Sequence, residues 1–422
     1  MMTTLDDCRA LDANDPLRSL RDLYVIPQGV IYLDGNSLGA MPKSVPGRIA
    51  HAVNHEWGEG LIRSWNSAGW YEMPQRLGDK IAALIGARAG EVVATDTTSI
   101  NVYKVLSAAI TIALANDKSR RVIVSERSNF PTDLYIAQAL CKERGCELRL
   151  IDDIADETAI APALQKDVAV LMLTHVNYRT GAMLGMAALT RAAHEAGALT
   201  VWDLCHSAGA VPVDLHAAAA DFAIGCGYKF LNGGPGAPAF VWVHPRHREK
   251  FEQPLAGWWS HAAPFEFTHE YRPAPGIARY LCGTQPVLSM TALECGLDTF
   301  VEAQKLGGIE ALRRKSLALT DLFMRLVEER CAGAFKIVTP RDHALRGSQV
   351  CLSRDEGSYA IVQAMIARGV IGDFRAPDIA RFGFTPMYTS FEDVWNASEH
   401  LAQVMDRGEW RRPEFNMKNA VT

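Results

Sequence analysis

No stretch of this 422-residue chain reaches the roughly 18 consecutive apolar residues that a membrane-spanning helix needs, so no such span is expected. Surplus positive charge is missing as well. The 43 Lys and Arg against 48 Asp and Glu leave a net charge of −5, which argues against a nucleic-acid footprint. The nine cysteines (8, 141, 146, 205, 226, 282, 295, 331 and 351) make neither CxxC pairs nor an evenly spaced framework, so reduced, mostly buried thiols are expected. His244 and His247 have a ligand-like spacing in HPRHREK, but Arg246, Arg248 and Lys250 would repel a cation. The stretch therefore reads as a solvated turn, and no metal site is expected. Met1–Asp15 is polar and acidic rather than signal-like, which gives a cytoplasmic expectation. Repeats and low-complexity linkers are absent too, apart from the alanine run 217–220.

What is present is an enzyme-like composition, 48% hydrophobic, with length for two or three domains. From about residue 90 to 245, short β-branched runs alternate with amphipathic stretches, the pattern of a parallel sheet wrapped by helices. The expected strands are 121–125, 147–151, 168–174, 199–203 and 221–226, with helices over 101–114, 132–144 and 187–196. Beyond residue 290 the pattern changes to long helices, 290–304 and 309–329, then short strands near 335–338 and 349–352. The expectation is an α/β chain: a large domain with a mostly parallel sheet over 46–290 and a smaller α+β domain over 291–422. Residues 1–45 would contribute to the small domain and the active site. The end of the chain, 408–422, is expected to fray.

Ligands in such sheets collect at the carboxyl ends of the strands. There the sequence is rich in chemistry: Ser128–Asp133, Thr174–Thr180, Asp203–His206 and Tyr228-Lys229. Lys229 lies between the apolar run 221–226 and the glycine-rich turn 232–236, where desolvation would lower its pKa and free the amine to attack a carbonyl. A strand-end lysine reaching to water fits these residues equally well. Asp203, at the end of a neighbouring strand, can either cap a loop or pair with a cation. A convergent lysine and aspartate are what pyridoxal 5'-phosphate requires, one for the Schiff base and one for the ring nitrogen. Thr97-Thr98-Ser99 stands at a helix N-terminus suited to a phosphate or to ordinary capping. Phe130 can lie on a ring face or simply pack, with Asp133 nearby.

The strings YLDGNSLG (32–39), TTSIN (97–101), FPTD (130–133), HVNYRTG (175–181), WDLCHSAGAVPVDL (202–215), GYKFLNGGPG (227–236), GWWSH (257–261) and RFGFTPMYT (381–389) occur in one order along nearly the whole chain. In these the chain resembles the kynureninase family, of the aspartate-aminotransferase-like superfamily. The resemblance implies a pyridoxal-phosphate fold of type I and hydrolysis of L-kynurenine to anthranilate and L-alanine in tryptophan catabolism. Within the kynurenine pathway that step feeds NAD biosynthesis. By the same resemblance Lys229 is the Schiff-base lysine and proton shuttle, Asp203 the pyridine-nitrogen partner, and His206 a neighbour of the cofactor. Thr97, Thr98 and Tyr228 bind phosphate, Tyr228 doubling as an acid. Phe130 stacks on the ring beside Asp133, and Thr174 lines the pocket.

The resemblance further implies a homodimer with shared sites, to which Trp258 and Thr284 are donated across subunits. Arg381 is expected to grip the substrate carboxylate, with Arg375 as competitor; a planar guanidinium suits a carboxylate bidentately. Trp65, Gly283 and Thr284 match bacterial members, which implies preference for L-kynurenine, with 3-hydroxykynurenine cleaved less efficiently to 3-hydroxyanthranilate. A related class V aminotransferase or cysteine desulfurase would share Lys229 and Asp203, but a desulfurase needs a mobile-loop cysteine, and Cys351, the nearest candidate by position, lies in the strand-like GSQVCLS. A cofactor-binding sensor is the third reading. Asn36 and Ser37 either border the substrate or form a turn.

Overall fold

In the computed structural model, which describes residues 3–417 except 153, 155, 156 and 252, the run VAVLMLT forms the strand Val168–Thr174 with every residue buried. A strand apolar on both faces must be covered on both, which makes it the centre of a helix-flanked sheet. The sheet order is Val92–Ala94, Phe240–Val243, Phe222–Gly225, Leu199–Asp203, Val168–Thr174, Val122–Glu126 and Glu147–Ile151. The last five are mutually parallel and are the five expected from sequence. Two further strands were not counted. Phe240–Val243 runs antiparallel to Phe222–Gly225 and carries Val92–Ala94 antiparallel at the edge. The helix Thr98–Asn116 is long and apolar enough to cross a bilayer, yet it packs across the sheet against Pro131–Arg144 with most of its length buried.

A second core lies around a four-stranded antiparallel sheet ordered Lys336–Ile337, Gln349–Ser353, Ile379–Gly383 and Asp373–Arg375. Helices Gly308–Arg330, Ser358–Ala367 and Phe391–Asp406 cover it. Cys8 and Leu33 belong to this core. The first helix, Leu5–Ala13, opens with a Thr4/Asp7 capping box and packs on Phe391–Asp406. Asp12 there accepts from the free amides of Phe391 and Glu392 at 2.8 and 2.9 Å. Ile31–Tyr32 then pairs in parallel with Val370–Ile371. The helix Val287–Gln304 crosses the proposed limit at 290, and its Met290, Leu293, Leu297 and Phe300 pack in the large-sheet core.

Two surface expectations are corrected. The stretch 408–417 does not fray, because Trp410 is buried, packed against Gly357, with the Arg354 and Arg411 guanidinium groups over its ring at 5.4 and 4.6 Å. Residues 418–422 lie outside the described residues. His247 is not solvated either: it is buried and bonds Asp221 at 2.7 Å.

Candidate active site

Parallel register brings the chemistry together. Thr174 and Asp203 are paired residues at the ends of adjacent strands, and Asp203 pairs in turn with Ile224, five residues before Lys229. The N-terminus of the helix Thr98–Asn116 opens toward the same place. The result is a cavity of about 210 Å³ lined by Thr98, Ser99, Phe130, Thr132, Asp133, Thr174, Tyr178, Asp203, Cys205, His206, Tyr228 and Lys229. A larger hollow of about 530 Å³ borders the loop at Leu38–Ala40, but its walls carry no charged group.

Asp203 is buried, and its Oδ1 accepts from the Cys205 amide at 2.7 Å. Thr174 Oγ1 lies 3.5 Å from its Oδ2 while donating to Asn129 Oδ1. Asn129 is buried and donates to Ser125 Oγ at 3.0 Å, so the loop carrying Phe130 is pinned to the strand it leaves. Asp133 faces Asp203 from the first turn of Pro131–Arg144. Burial, the Asp203 charge and their mutual hydrogen bond hold the Asp133 carboxyl well above the carboxylate range, against the pull of Lys229.

The Lys229 Nζ lies 5.8 Å from the Phe130 ring centroid and 5.7 Å from that of Tyr228. Sequence reasoning expected a lowered pKa here, and the structure corrects that. Burial does lower it, but Cys226, Cys205, Tyr228 and Asp203 facing the amine outweigh burial and raise it above the ordinary lysine value. Burial also pushes the Tyr228 phenol up to about 12, with Lys229 opposing. The lysine turn is closed by the Asn232 amide donating to the Lys229 carbonyl at 2.9 Å, and Gly39 N–H donates to the Tyr228 carbonyl at 2.8 Å. A Cβ at Gly39 would stand 2.4 Å from the Lys229 carbonyl oxygen, so only glycine admits this approach.

Thr98 and Ser99 present hydroxyls to the cavity beside the helix N-terminus. Thr97 does not join them: its Oγ1 caps the helix by accepting from the Ile100 amide at 3.4 Å. Arg381 is buried and does not line this cavity. Its Nε donates to Asp373 Oδ1 at 2.7 Å, its Nη2 to Asp373 Oδ2 and to Ser37 Oγ at 2.8 Å, and its Nη1 to the Tyr178 carbonyl at 2.8 Å. Four of its five N–H donors are therefore engaged. Arg375 Nη2 lies 2.6 Å from the same Asp373 carboxylate and 3.2 Å from Ser37 Oγ. Asp34 completes the group. Burial and the Asp373 charge push its carboxyl up to about 7, against Arg381, Ser37 and Arg375.

Trp65, Trp258, Gly283 and Thr284 are not brought to the lysine within one chain. Trp258 stacks on Trp259 at 5.0 Å and meets Trp65 edge-on at 6.0 Å, and Thr284 is exposed. Sequence reasoning missed Asn129, Cys205, Tyr178, Asp373 and Asp34 as members of these networks. Asn129 and Tyr178 stood inside strand-end stretches already singled out. Asp373 is Arg381's cross-strand partner, a pairing visible only once the hairpin register is known.

Residues 312–401 match the family model described as the kynureninase C-terminal domain. The chain is 58% identical to a kynureninase of Burkholderia pseudomallei and 56% identical to one of Pseudomonas fluorescens, in each case over 424 aligned positions covering all of both chains. Among solved structures it resembles a C-DES variant with glycine covalently linked to its PLP cofactor: TM-score 0.77, 16% identity, 95% of this chain and 99% of that one. The apo cysteine desulfurase of Thermococcus onnurineus NA1 gives a TM-score of 0.72 at 20% identity, over 96% and 99%. These structural likenesses establish the α/β architecture of fold type I, and the full-length identities go further: the chain belongs to the kynureninase family.

Proposed function

We propose that the enzyme hydrolyses L-kynurenine to anthranilate and L-alanine with pyridoxal 5'-phosphate held in the Lys229 cavity. One observation carries the reading: register places Thr174 and Asp203 side by side at the mouth that Lys229, Phe130 and a helix N-terminus also line. The donor set fits the cofactor part by part. Hydroxyls of Thr98 and Ser99, with free amides of the helix start, suit a phosphate. Phe130 offers a ring face, and Asp203 offers an anion for a pyridine nitrogen. When bound, the cofactor supplies an electron sink for bonds broken at the substrate's α- and β-carbons.

The side chains do the rest. Lys229 anchors the cofactor and then moves the α-proton. Its raised pKa, set chiefly by the groups facing it against burial, suits a resting ammonium. Asp133, its carboxyl held well above the carboxylate range by burial and the Asp203 charge, lies beside Asp203 on the cavity wall. Tyr228 remains protonated at neutral pH and can deliver its proton to the β-carbon, giving the methyl group of alanine. Water supplies hydroxyl to the acyl carbon, which becomes the carboxyl group of anthranilate. Arg381, with Arg375 beside it, receives the substrate α-carboxylate through the donor that Asp373, Ser37 and Tyr178 leave over.

Dimerisation brings in Trp258 and Thr284 from the partner, and with Trp65 and Gly283 they would set the preference for L-kynurenine over 3-hydroxykynurenine. Exposed rings at Trp57, Phe265 and Phe267, 58%, 67% and 81% accessible, support burial against a second copy. A cytoplasmic place in tryptophan catabolism fits this chemistry. The desulfurase reading is disfavoured because Cys351 is fully buried in a strand, its thiol pushed up to about 11 by burial. Incubating the cofactor-loaded protein with L-kynurenine should release fluorescent anthranilate. No anthranilate, with sulfide released from cysteine, would refute the reading.

A further inference from the structure

Gln349, the first residue of the strand Gln349–Ser353, reaches out of the C-terminal sheet to His206, which lines the Lys229 cavity. It is buried, and every polar atom of its side chain is engaged. Its Nε2 donates toward the carbonyls of Asn177 and Tyr178 at 3.3 and 3.1 Å and toward Cys351 Sγ at 3.4 Å. Its Oε1 faces His206 Nδ1 at 2.9 Å and receives Asn36 Nδ2 at 3.4 Å. Gly181, at φ +72, makes room for the stem; a Cβ there would lie 2.9 Å from Gln349 Cγ.

The amide cannot be turned over, because its oxygen would then point at two carbonyl oxygens. With Oε1 facing His206, Nδ1 of the histidine must be the donor. Burial and the facing Lys229, Arg381 and Arg375 cations oppose protonation of the second nitrogen and outweigh the Gln349 hydrogen bond, which alone would favour the charged ring. We propose that Gln349 is a positioning residue that locks His206 in the neutral Nδ1–H tautomer, leaving Nε2 as an acceptor in the cofactor cavity. The His206 ring then welcomes a protonated group on the bound cofactor and repels a bare acceptor. Because Gln349 hangs from carbonyls of one domain and belongs to a strand of the other, the tautomer also depends on how the two domains are seated.

This rests on the cofactor reading of the cavity, but the tautomer is a property of the protein itself. The test is nitrogen NMR on enzyme labelled with ¹⁵N-histidine, with and without pyridoxal phosphate, using His206→Gln to assign the signals. Native enzyme should show a protonated Nδ1 and a bare Nε2 at neutral pH. Gln349→Glu puts an oxygen where the amide donated to the Asn177 and Tyr178 carbonyls, so its carboxyl should keep a proton there, stay neutral and preserve the native Nδ1–H pattern through its other oxygen. Gln349→Leu should abolish the fixed pattern. A bare Nδ1 or an imidazolium in the native enzyme overturns the proposal, as does a Gln349→Leu spectrum identical to the native one. If Gln349→Leu does not fold, the native spectrum and Gln349→Glu still decide. The native pattern without anthranilate release would sink the proposed function and leave this inference standing.

Discussion

Replacing Asp34 with asparagine should make the enzyme more stable at alkaline pH and nearly unchanged in acid. Asp34 sits behind Asp373 with its Oδ1 buried and without a hydrogen-bond partner among the described residues, and its carboxyl is pushed from 3.8 up to about 7. The folded protein therefore holds a proton between about pH 4 and pH 7 that the unfolded chain has released, and stability falls as pH rises through this window. Ionising such a group costs about 4 kcal/mol at about 1.4 kcal/mol per tenfold change in proton affinity. Asp34 keeps part of its surface in water, so about 2–4 kcal/mol is expected above about pH 7. Urea unfolding of native enzyme and Asp34→Asn across pH would show the difference opening from near zero at about pH 4 and levelling off above about pH 7. On the proposed binding at Arg381, a substrate carboxylate adds a further negative charge. KM for L-kynurenine should thus rise about tenfold from about pH 6 to pH 8 in native enzyme, relative to the variant. A pH-independent stability difference, or KM profiles that stay parallel, would refute the reasoning.

Asp221 has the opposite sign. Burial would push its carboxyl up, but His194, His247 and Arg246 outweigh burial and hold it well below the usual carboxylate range. Its contribution is present above about pH 4 and lost as pH falls toward the folded value, so Asp221→Asn should cost about 3–5 kcal/mol at neutral pH and less in strong acid, measured by denaturant titration. Lys229→Ala and Trp258→Ala should each abolish anthranilate release, yet dimers formed from a random mixture should regain about a quarter of native activity, since half are hybrids with one intact site each. Mixtures as inactive as their parents would place both residues in one subunit's site. Gly39→Ala forces a Cβ to 2.4 Å from the Lys229 carbonyl and should lower kcat with a stability loss of about 1–3 kcal/mol. Unaltered kcat would show that the loop is not coupled to the lysine.

The five parallel strands were legible because each is an uninterrupted apolar run, such as the seven residues from Val168 to Thr174, that only a doubly covered sheet can use. The antiparallel edge was not, because Val92–Ala94 is three residues long and Phe240–Val243 follows a turn rather than a crossover helix. Lys229, Asp203 and Phe130 could be read from their places at strand ends. The direction of the Lys229 pKa could not, since it depends on which acids and thiols the register brings opposite. The settings of Arg381 and Gln349 were likewise hidden: their partners Ser37 and His206 lie 344 and 143 positions away.

The loop LDGNSLG gathers these hidden pieces. Asp34 bridges to Gly383 on the strand of Arg381; Asn36 reaches Gln349; Ser37 bonds both Asp373 and Arg381; and Gly39 rests on the lysine turn. Within six residues the backbone therefore visits the Arg381–Asp373 pair, the histidine network and the Lys229 turn. The loop's own core anchor, Leu33, belongs to the C-terminal domain, whereas Gly39 is bonded to the large one. A shift between domains must then either break the Gly39 contact or carry Ser37 and Asn36 with it. The composition of the loop follows from that position. Small and polar residues are needed where two domains, a guanidinium and a lysine backbone converge within hydrogen-bonding distance: an apolar side chain at 37 would leave a buried Arg381 donor unpaired, and one at 36 would take a donor from the Gln349 amide oxygen.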